Sequence, residues 1–180
     1  MFGRKDKTKK IINLIWDESD YFIVTAGKNA PKKKDLIAMG EAMGIELPQD
    51  FLAHATGFWG SPYIEVRDDV WLRPEVGDVG PLWHYFHGVF VYAYSQDAPE
   101  WMQAKVAVEE FKEMGHAVLP LLRVVGDEDV YCYNQQGEIV KWSNEKKTFE
   151  PFDGGFFDLL KYEFIELNER RMKKKEEVMI

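Results

Sequence analysis

Apolar and polar side chains alternate along this 180-residue chain with a period that changes several times, and each change marks a predicted element. Helical spacing is clear in NAPKKKDLIAMGEAMG, where Asn29 can cap a helix, Pro31 suits its first turn and Gly44 stands where the chain must leave it. A second, short helix is predicted to begin at Pro48 and to end at Gly57. These patterns predict two consecutive helices in the first third of the chain.

Beyond Ser61 the period shortens to about two residues, which is the spacing of β-strands. Two short strands are predicted in PYIEV and DVWLRP, on either side of a turn at residues 67–69. Residues 86–94 are apolar on both faces, a pattern typical of a strand in the middle of a sheet.

Three further strands are predicted at residues 118–125, 130–134 and 138–142. The last two form a hairpin, because Gly137 supplies the positive φ that such a turn needs. Pro120 cannot donate a hydrogen bond to a neighbouring strand, so its strand is expected to carry it near an edge or at a bulge.

Two more helices complete the pattern. One is predicted in DAPEWMQAKVAVEEFKEMG, where Asp97 and Glu100 form a capping-box pattern and Gly115 ends the helix. The other is the long stretch FFDLLKYEFIELNERRMKKKEE, whose apolar residues recur at helical spacing.

Together these elements predict an α+β fold, a single domain with a mainly antiparallel β-sheet and packed helices. The domain is expected at residues 31–172. Residues 1–30 are expected to form a basic N-terminal segment, partly helical and packed on the domain, and residues 173–180 a charged tail.

Charge is distributed unevenly along the chain. The net charge is −8, yet residues 35–160 hold 22 Asp and Glu against eight Lys and Arg, an excess of 14 acids. A surface of this sign repels nucleic acid and attracts basic partners. We therefore expect no nucleic-acid partner and a protein partner with a basic surface, while the oligomeric state is left open.

The single cysteine, Cys132, excludes an internal disulfide and a cysteine-based zinc cluster, and it fits a reducing compartment. The longest apolar run near the N-terminus, residues 11–16, is too short for a signal peptide and far too short to span a bilayer. A cytoplasmic protein without membrane contact is the resulting expectation.

Three consecutive acids, residues 127–129, are the most conspicuous candidate for chemistry. They lack the spacing of a calcium loop, and a catalytic pair would need a partner carboxylate across a cleft. The favoured interpretation is a solvated turn between two strands, and an acidic patch that binds a partner is the alternative.

The remaining candidates point away from a cofactor. His84 and His87 would share a face on a helix but face opposite sides of a strand, which breaks a metal-binding pair. His54 is expected at the edge of its helix, and Cys132 as a buried thiol. The chain has no phosphate-binding or dinucleotide-binding motif. We therefore expect no metal, no cofactor and no catalytic residue.

Exposed aromatic side chains among charges are typical of an interaction surface. The chain has six tryptophans, of which Trp71 and Trp83 lie at predicted loops in the acidic stretch. The predicted partner-binding surface is drawn from residues 67–83 and 126–129. Its residues are Asp68, Asp69, Trp71, Asp78, Trp83, Asp127 and Glu128.

Two stretches form recognisable motifs. In MGIELPQDFLAHATG, a Leu-Pro pair precedes an acid, an aromatic residue and a leucine, namely Leu47, Pro48, Asp50, Phe51 and Leu52. In AVLPLLRVVGDEDVYCYNQQGEIVKWSNEKKTFEPFDGGFFDLLKYEF, a Gly-acid turn and a Tyr-rich strand precede a glycine turn and a strand with Trp. These residues are Gly126, Asp127, Tyr131, Gly137 and Trp142.

Over roughly residues 30–170, these motifs resemble the SUKH superfamily. Members often carry Tyr where this chain has Phe51, and Asn-Gly-Gly where it has Gly57-Phe58-Trp59-Gly60. The superfamily includes fungal regulators of cell-wall glucan synthesis and bacterial proteins thought to neutralise toxins. The resemblance implies a SUKH-like fold, and a non-catalytic immunity protein that occludes a toxin, for example a nuclease.

Two alternatives stay open. One is a small hydrolase that uses Asp68, Asp69 or the Asp127 group with His84 or His87. The other is a general regulatory scaffold, which differs from an immunity protein only in its partner.

Overall fold

A computed structural model describes residues 7–16, 20–26, 30–75, 77 and 80–178. It contains one seven-stranded antiparallel sheet with helices packed on it, so the predicted α+β fold is confirmed. The helices are α1 (Lys7–Trp16), α2 (Lys33–Ala42), α3 (Gln49–Ala55), α4 (Ala104–Glu113) and α5 (Phe156–Val178). The strands are β1 (Phe22–Thr25), β2 (Tyr63–Val66), β3 (Gly88–Val91), β4 (Leu119–Val124), β5 (Val130–Tyr133), β6 (Ile139–Ser143) and β7 (Thr148–Pro151).

The strands follow one another across the sheet in chain order, and each pairs antiparallel with the next. All four residues of β3 are buried, as predicted for a strand inside the sheet. Strand β4 lies in the middle of the sheet, and its register with β5 shifts between Pro120 and Leu122. Pro120 is thus accommodated at a bulge, one of its two predicted settings, because a bulge tolerates a residue without an N–H donor.

The two faces of the sheet are covered differently. Helices α1, α2, α3 and α5 contribute to a large apolar core on one face, which includes Phe51, Leu122 and Phe156. On the other face α4 covers a smaller cluster, in which the ring of Phe111 meets Trp142 at a centroid distance of 6.0 Å. Among the described helices, none is long and apolar enough to cross a membrane.

Several predicted boundaries differ from the structure. Strands β1 and β7 are absent from the prediction, and β1 makes the 1–30 segment part of the sheet. The predicted strand DVWLRP is instead a turn followed by irregular chain. Helix α5 continues to Val178, so much of the predicted tail is helical. The proposed cap Asn29 lies outside the described residues.

The helix predicted from residue 97 begins later. Residues Glu100–Met102 form a short 3-10 helix, and α4 starts at Ala104 with Gln103 as its N-cap. The Gln103 side chain donates a hydrogen bond to the carbonyl of Ala98 at 2.8 Å, which fixes the preceding loop. The capping box assigned to Asp97 is therefore wrong.

His54 is a second correction, because it is buried rather than at the edge of α3. Its ring lies 4.5 Å from that of Phe156, and 3% of its surface is exposed. Burial lowers the pKa of His54 to about 3, against a weaker opposing effect from a backbone hydrogen bond with Gly60. The imidazole is therefore neutral at physiological pH and acts as a core residue.

A buried carboxyl group lies between α5 and the sheet. Glu163 is 4% exposed and accepts a hydrogen bond from the Tyr131 hydroxyl at 2.8 Å. The nearest cation, Arg170, is 3.9 Å away, too far for a hydrogen bond. Burial raises the pKa of Glu163 and lowers the pKa of Arg170, so desolvation outweighs their mutual attraction.

Glu163→Gln is expected to change how stability depends on pH. The folded state holds the Glu163 proton more tightly than the unfolded chain, whose carboxyl has the ordinary value of 4.5. Wild-type stability therefore falls as pH rises from that value to the raised pKa, by up to about 1.4 kcal/mol per pH unit. Glutamine does not titrate, so this loss is absent from the variant. Its free energy of unfolding should therefore rise relative to that of the wild type as pH increases over this range.

The measurement is urea unfolding of both proteins from about pH 4.5 to neutral pH. The control is Glu169→Gln, a substitution at an exposed position of the same helix. Its free energy of unfolding should depend on pH in the same way as that of the wild type. A constant difference between Glu163→Gln and the wild type across this range would contradict the assignment.

Candidate functional site

The two exposed acids of the loop after β2 are each paired with an arginine. Asp68 pairs with Arg73 at 2.9 Å, and Asp69 pairs with Arg67 at 2.9 Å. Arg73 also donates to the carbonyl of Val66 at 2.6 Å, which anchors the loop to β2. Both carboxylates are exposed, but their charges are compensated by neighbouring guanidinium groups, so this loop attracts a basic partner weakly.

Trp71 is wholly buried, so the expectation that it anchors a partner is wrong. Its exposed fraction is 0%, and its indole N–H donates to the carbonyl of His84 at 3.2 Å. The indole thus finds its hydrogen-bond partner inside the protein, which allows the whole side chain to enter the core.

Trp83 is half-buried and covered by the end of α5. The Lys173 ammonium lies 4.3 Å from the centre of its ring, and Lys174 lies 5.8 Å from it. These are cation–π distances. The neighbouring residue His84 contacts Glu177 of α5 at 2.9 Å. Two basic residues of the RRMKKK stretch are therefore engaged within the molecule. Asp78 lies outside the described residues.

Residues 126–129 form a turn, as the sequence favoured. Gly126 has a φ of +82°, and the Asp127 carboxylate accepts the backbone N–H of Asp129 at 3.1 Å. Asp129 accepts the N–H of Asn144 at 2.9 Å and pairs with Lys141 at 3.1 Å. Two of the three acids thus hold the turn together, and Glu128 is exposed beside Asn144.

The histidine pair is separated by the local backbone. The prediction of a strand that carries both histidines is wrong, because His84 lies in a 3-10 helix, Leu82–Tyr85, and faces α5, whereas His87 lies just before β3. Burial, with the nearby charge of Arg73 as a smaller effect, lowers the pKa of His87. In the described part of the chain, no hydrogen bond joins either histidine to Asp68, Asp69 or Asp127. Nor do three or more described His, Cys, Asp or Glu residues form a metal-binding group.

An open, acid-lined depression of about 610 Å³ lies at the end of the β5–β6 hairpin and is here called the hairpin groove. Its lining combines acids, apolar side chains and glycine backbone. These residues are Pro48, Asp50, Tyr133, Gly137, Glu138, Ile139, Pro151, Phe152, Asp153, Gly154, Gly155 and Phe156. Every charged residue among them is acidic.

Three separate segments build the groove. The first turn of α3 contributes Asp50, whose carboxylate accepts the N–H of Phe51 at 2.8 Å. The loop before α5 contributes Gly155, whose N–H donates to Asp158 at 2.9 Å, so Asp158 is occupied in capping α5. The turn between β5 and β6 contributes Gly137, with a φ of +74°. Residues from both sequence motifs therefore meet at one site.

Sequence reasoning missed this groove as a site. Asp50 and Gly137 belong to the two sequence motifs, and this was the sequence signal that could have indicated the groove. Asp153, another acid of the groove, follows β7, a strand that the alternation of apolar and polar residues did not reveal. No family model, curated protein or solved structure matches the chain. The groove is therefore identified from its geometry and charge alone.

Trp71→Ala is expected to reduce the free energy of unfolding by about 3–5 kcal/mol, because it leaves a cavity in the core and an unpaired carbonyl at His84. Urea unfolding measures this loss. Trp101→Ala is the matched control, since Trp101 is 55% exposed, and it should cost less than half as much. Equal costs for the two substitutions would contradict the burial of Trp71.

Proposed function

We propose that this protein is a non-catalytic binding module that holds the basic surface of a partner protein in its hairpin groove. In the form that the sequence resemblance implies, it is a cytoplasmic immunity protein that neutralises a toxin by covering it. The single observation that carries the proposal is the charge of the groove, whose titratable lining is acidic apart from Tyr133.

The groove acids differ from those of the loop after β2 in their partners. Among the described residues, no ion pair engages Asp50, Glu138 or Asp153. Glu138 accepts a hydrogen bond from the neutral side chain of Asn134 at 3.1 Å. Their negative charge is therefore available to a partner, in contrast to the compensated charges of Asp68 and Asp69.

The rest of the chain strengthens this field. Residues 35–160 carry an excess of 14 acids, which steers a basic protein towards the domain before contact. Low-dielectric walls, here the rings of Phe152 and Phe156, concentrate the field of nearby charges. A toxin with a basic cleft, such as a nuclease, would fit both properties. A regulatory scaffold would use the same surface with another basic partner.

Reversing two groove charges should slow association. The double variant Glu138→Lys, Asp153→Lys is expected to bind the partner at least about tenfold more slowly, with a weaker dependence of the rate on salt. The double variant Asp68→Lys, Asp69→Lys is the matched control, because it changes the net charge equally at a compensated site. Its association rate should stay within about threefold of the wild type.

The partner is recovered by affinity capture from the native host, and association is then followed at low and at physiological salt. If both double variants slow association equally, only the overall charge matters and the groove assignment is wrong. A groove variant that associates as fast as the wild type would also contradict the groove assignment. The immunity role is tested separately, by protection of cells that express a neighbouring toxin gene.

A further inference from the structure

One polar group in the hairpin groove lacks a partner within the described protein. Tyr133 is 2% exposed, and its ring packs edge-on against Phe51 at 5.4 Å. Two other tyrosines packed against the same core, Tyr94 and Tyr131, donate their hydroxyls to Pro120 at 2.6 Å and to Glu163 at 2.8 Å. No described group forms a hydrogen bond with the Tyr133 hydroxyl.

The ring of Tyr133 is buried, whereas the hydroxyl at its end opens onto the groove. A molecule bound in the groove can therefore supply the missing hydrogen-bond partner. The phenol lies beside Asp50: burial, and to a smaller degree the charge of this carboxylate, raise the pKa of Tyr133. The group at this position is therefore a neutral hydroxyl next to an anion.

The side chains around the Tyr133 hydroxyl determine which charge and which shape of ligand the groove favours. Asp50, Glu138 and Asp153 repel an anion and favour a cation. Phe152, which is half-buried, offers an aromatic side chain on the groove wall. A planar cation can stack on a ring and donate several hydrogen bonds at once, which a lysine ammonium cannot do in the same way.

We propose that the hairpin groove receives an arginine side chain of the partner protein, whose guanidinium donates to the Asp50 carboxylate and to the Tyr133 hydroxyl oxygen. The aliphatic part of the arginine lies along Phe152. This inference rests on the proposed function and names the side chain that the groove recognises.

The direct test is titration of the whole ¹⁵N-labelled protein with N-acetyl-arginine amide, followed by NMR. Saturable shifts are expected at the backbone amides of Gly137, Gly154 and Gly155. N-acetyl-citrulline amide, which has nearly the same shape without the charge, should bind at least tenfold more weakly. N-acetyl-lysine amide should bind more weakly than the arginine derivative. Equal binding of lysine and arginine derivatives, or shifts elsewhere in the protein, would overturn the proposal.

Tyr133→Phe removes the hydroxyl and keeps the ring that packs on Phe51. It should weaken binding of the arginine derivative by about tenfold, the usual effect of losing a hydrogen bond to a charged group. The control is Tyr131→Phe, which removes a buried hydroxyl outside the groove and should leave this affinity within about twofold. Tyr133→Phe binding as tightly as the wild type would overturn the role of the hydroxyl.

The two proposals fail in distinguishable ways. If the arginine derivative does not bind but Glu138→Lys, Asp153→Lys still slows partner association, the groove binds a basic protein without an arginine anchor. If the derivative binds but the groove reversal leaves partner association unchanged, the arginine site exists and the proposed function is wrong.

Discussion

The ring of Phe51 is the contact on which the rest of the structure depends. It meets the rings of Tyr94, Tyr133 and Phe156 at centroid distances of 5.7, 5.4 and 5.3 Å, all edge-on. Such pairs are favoured beyond the area that they bury. Through them α3, the middle of the sheet and the start of α5 share one centre.

The hairpin groove is a consequence of this packing. Asp50 precedes Phe51, and Gly155 precedes Phe156, so fixing the two rings also fixes the carboxylate and the loop backbone next to them. A Cβ added at Gly155 would lie 4.0 Å from the Asp50 carboxylate and 3.6 Å from that of Asp158. Each acid of the groove is next in sequence to an apolar residue that lines the groove or packs in the core, and Asp50 lies on α3 while Glu138 and Asp153 lie in connecting segments.

Several of the cations that could neutralise these acids are engaged elsewhere. Arg171 lies 4.0 Å from the centre of the Tyr21 ring, and Lys173 covers Trp83. Arg67 and Arg73 compensate the acids of the loop after β2. The basic ends of the chain are thus used in part for internal packing. This placement makes the local charge of the groove more negative than the net charge of the protein suggests.

The helices, the central strands and the hairpin followed from the sequence because each has a clear period or a glycine at a turn. Strands β1 and β7 did not, since each has four residues and takes its place only by pairing with a neighbour. Trp71 was misplaced because charged neighbours suggest exposure, while the carbonyl that accepts its N–H is 13 positions away. The local periodicity of a sequence does not reveal tertiary contacts of this kind.

Two polar side chains of the core face, Glu163 and Tyr133, differ in where their polar atoms lie. One carboxylate oxygen of Glu163 accepts from the Tyr131 hydroxyl, while the other is buried without a hydrogen-bond partner, 3.9 Å from the Arg170 guanidinium. Tyr133 has an anion beside it and an open groove in front of it. A phenylalanine at this position would keep the ring packing on Phe51, so that contact does not need the hydroxyl. The Tyr133 hydroxyl forms no hydrogen bond within the described protein, and its position at the groove leaves it available to a molecule that enters there.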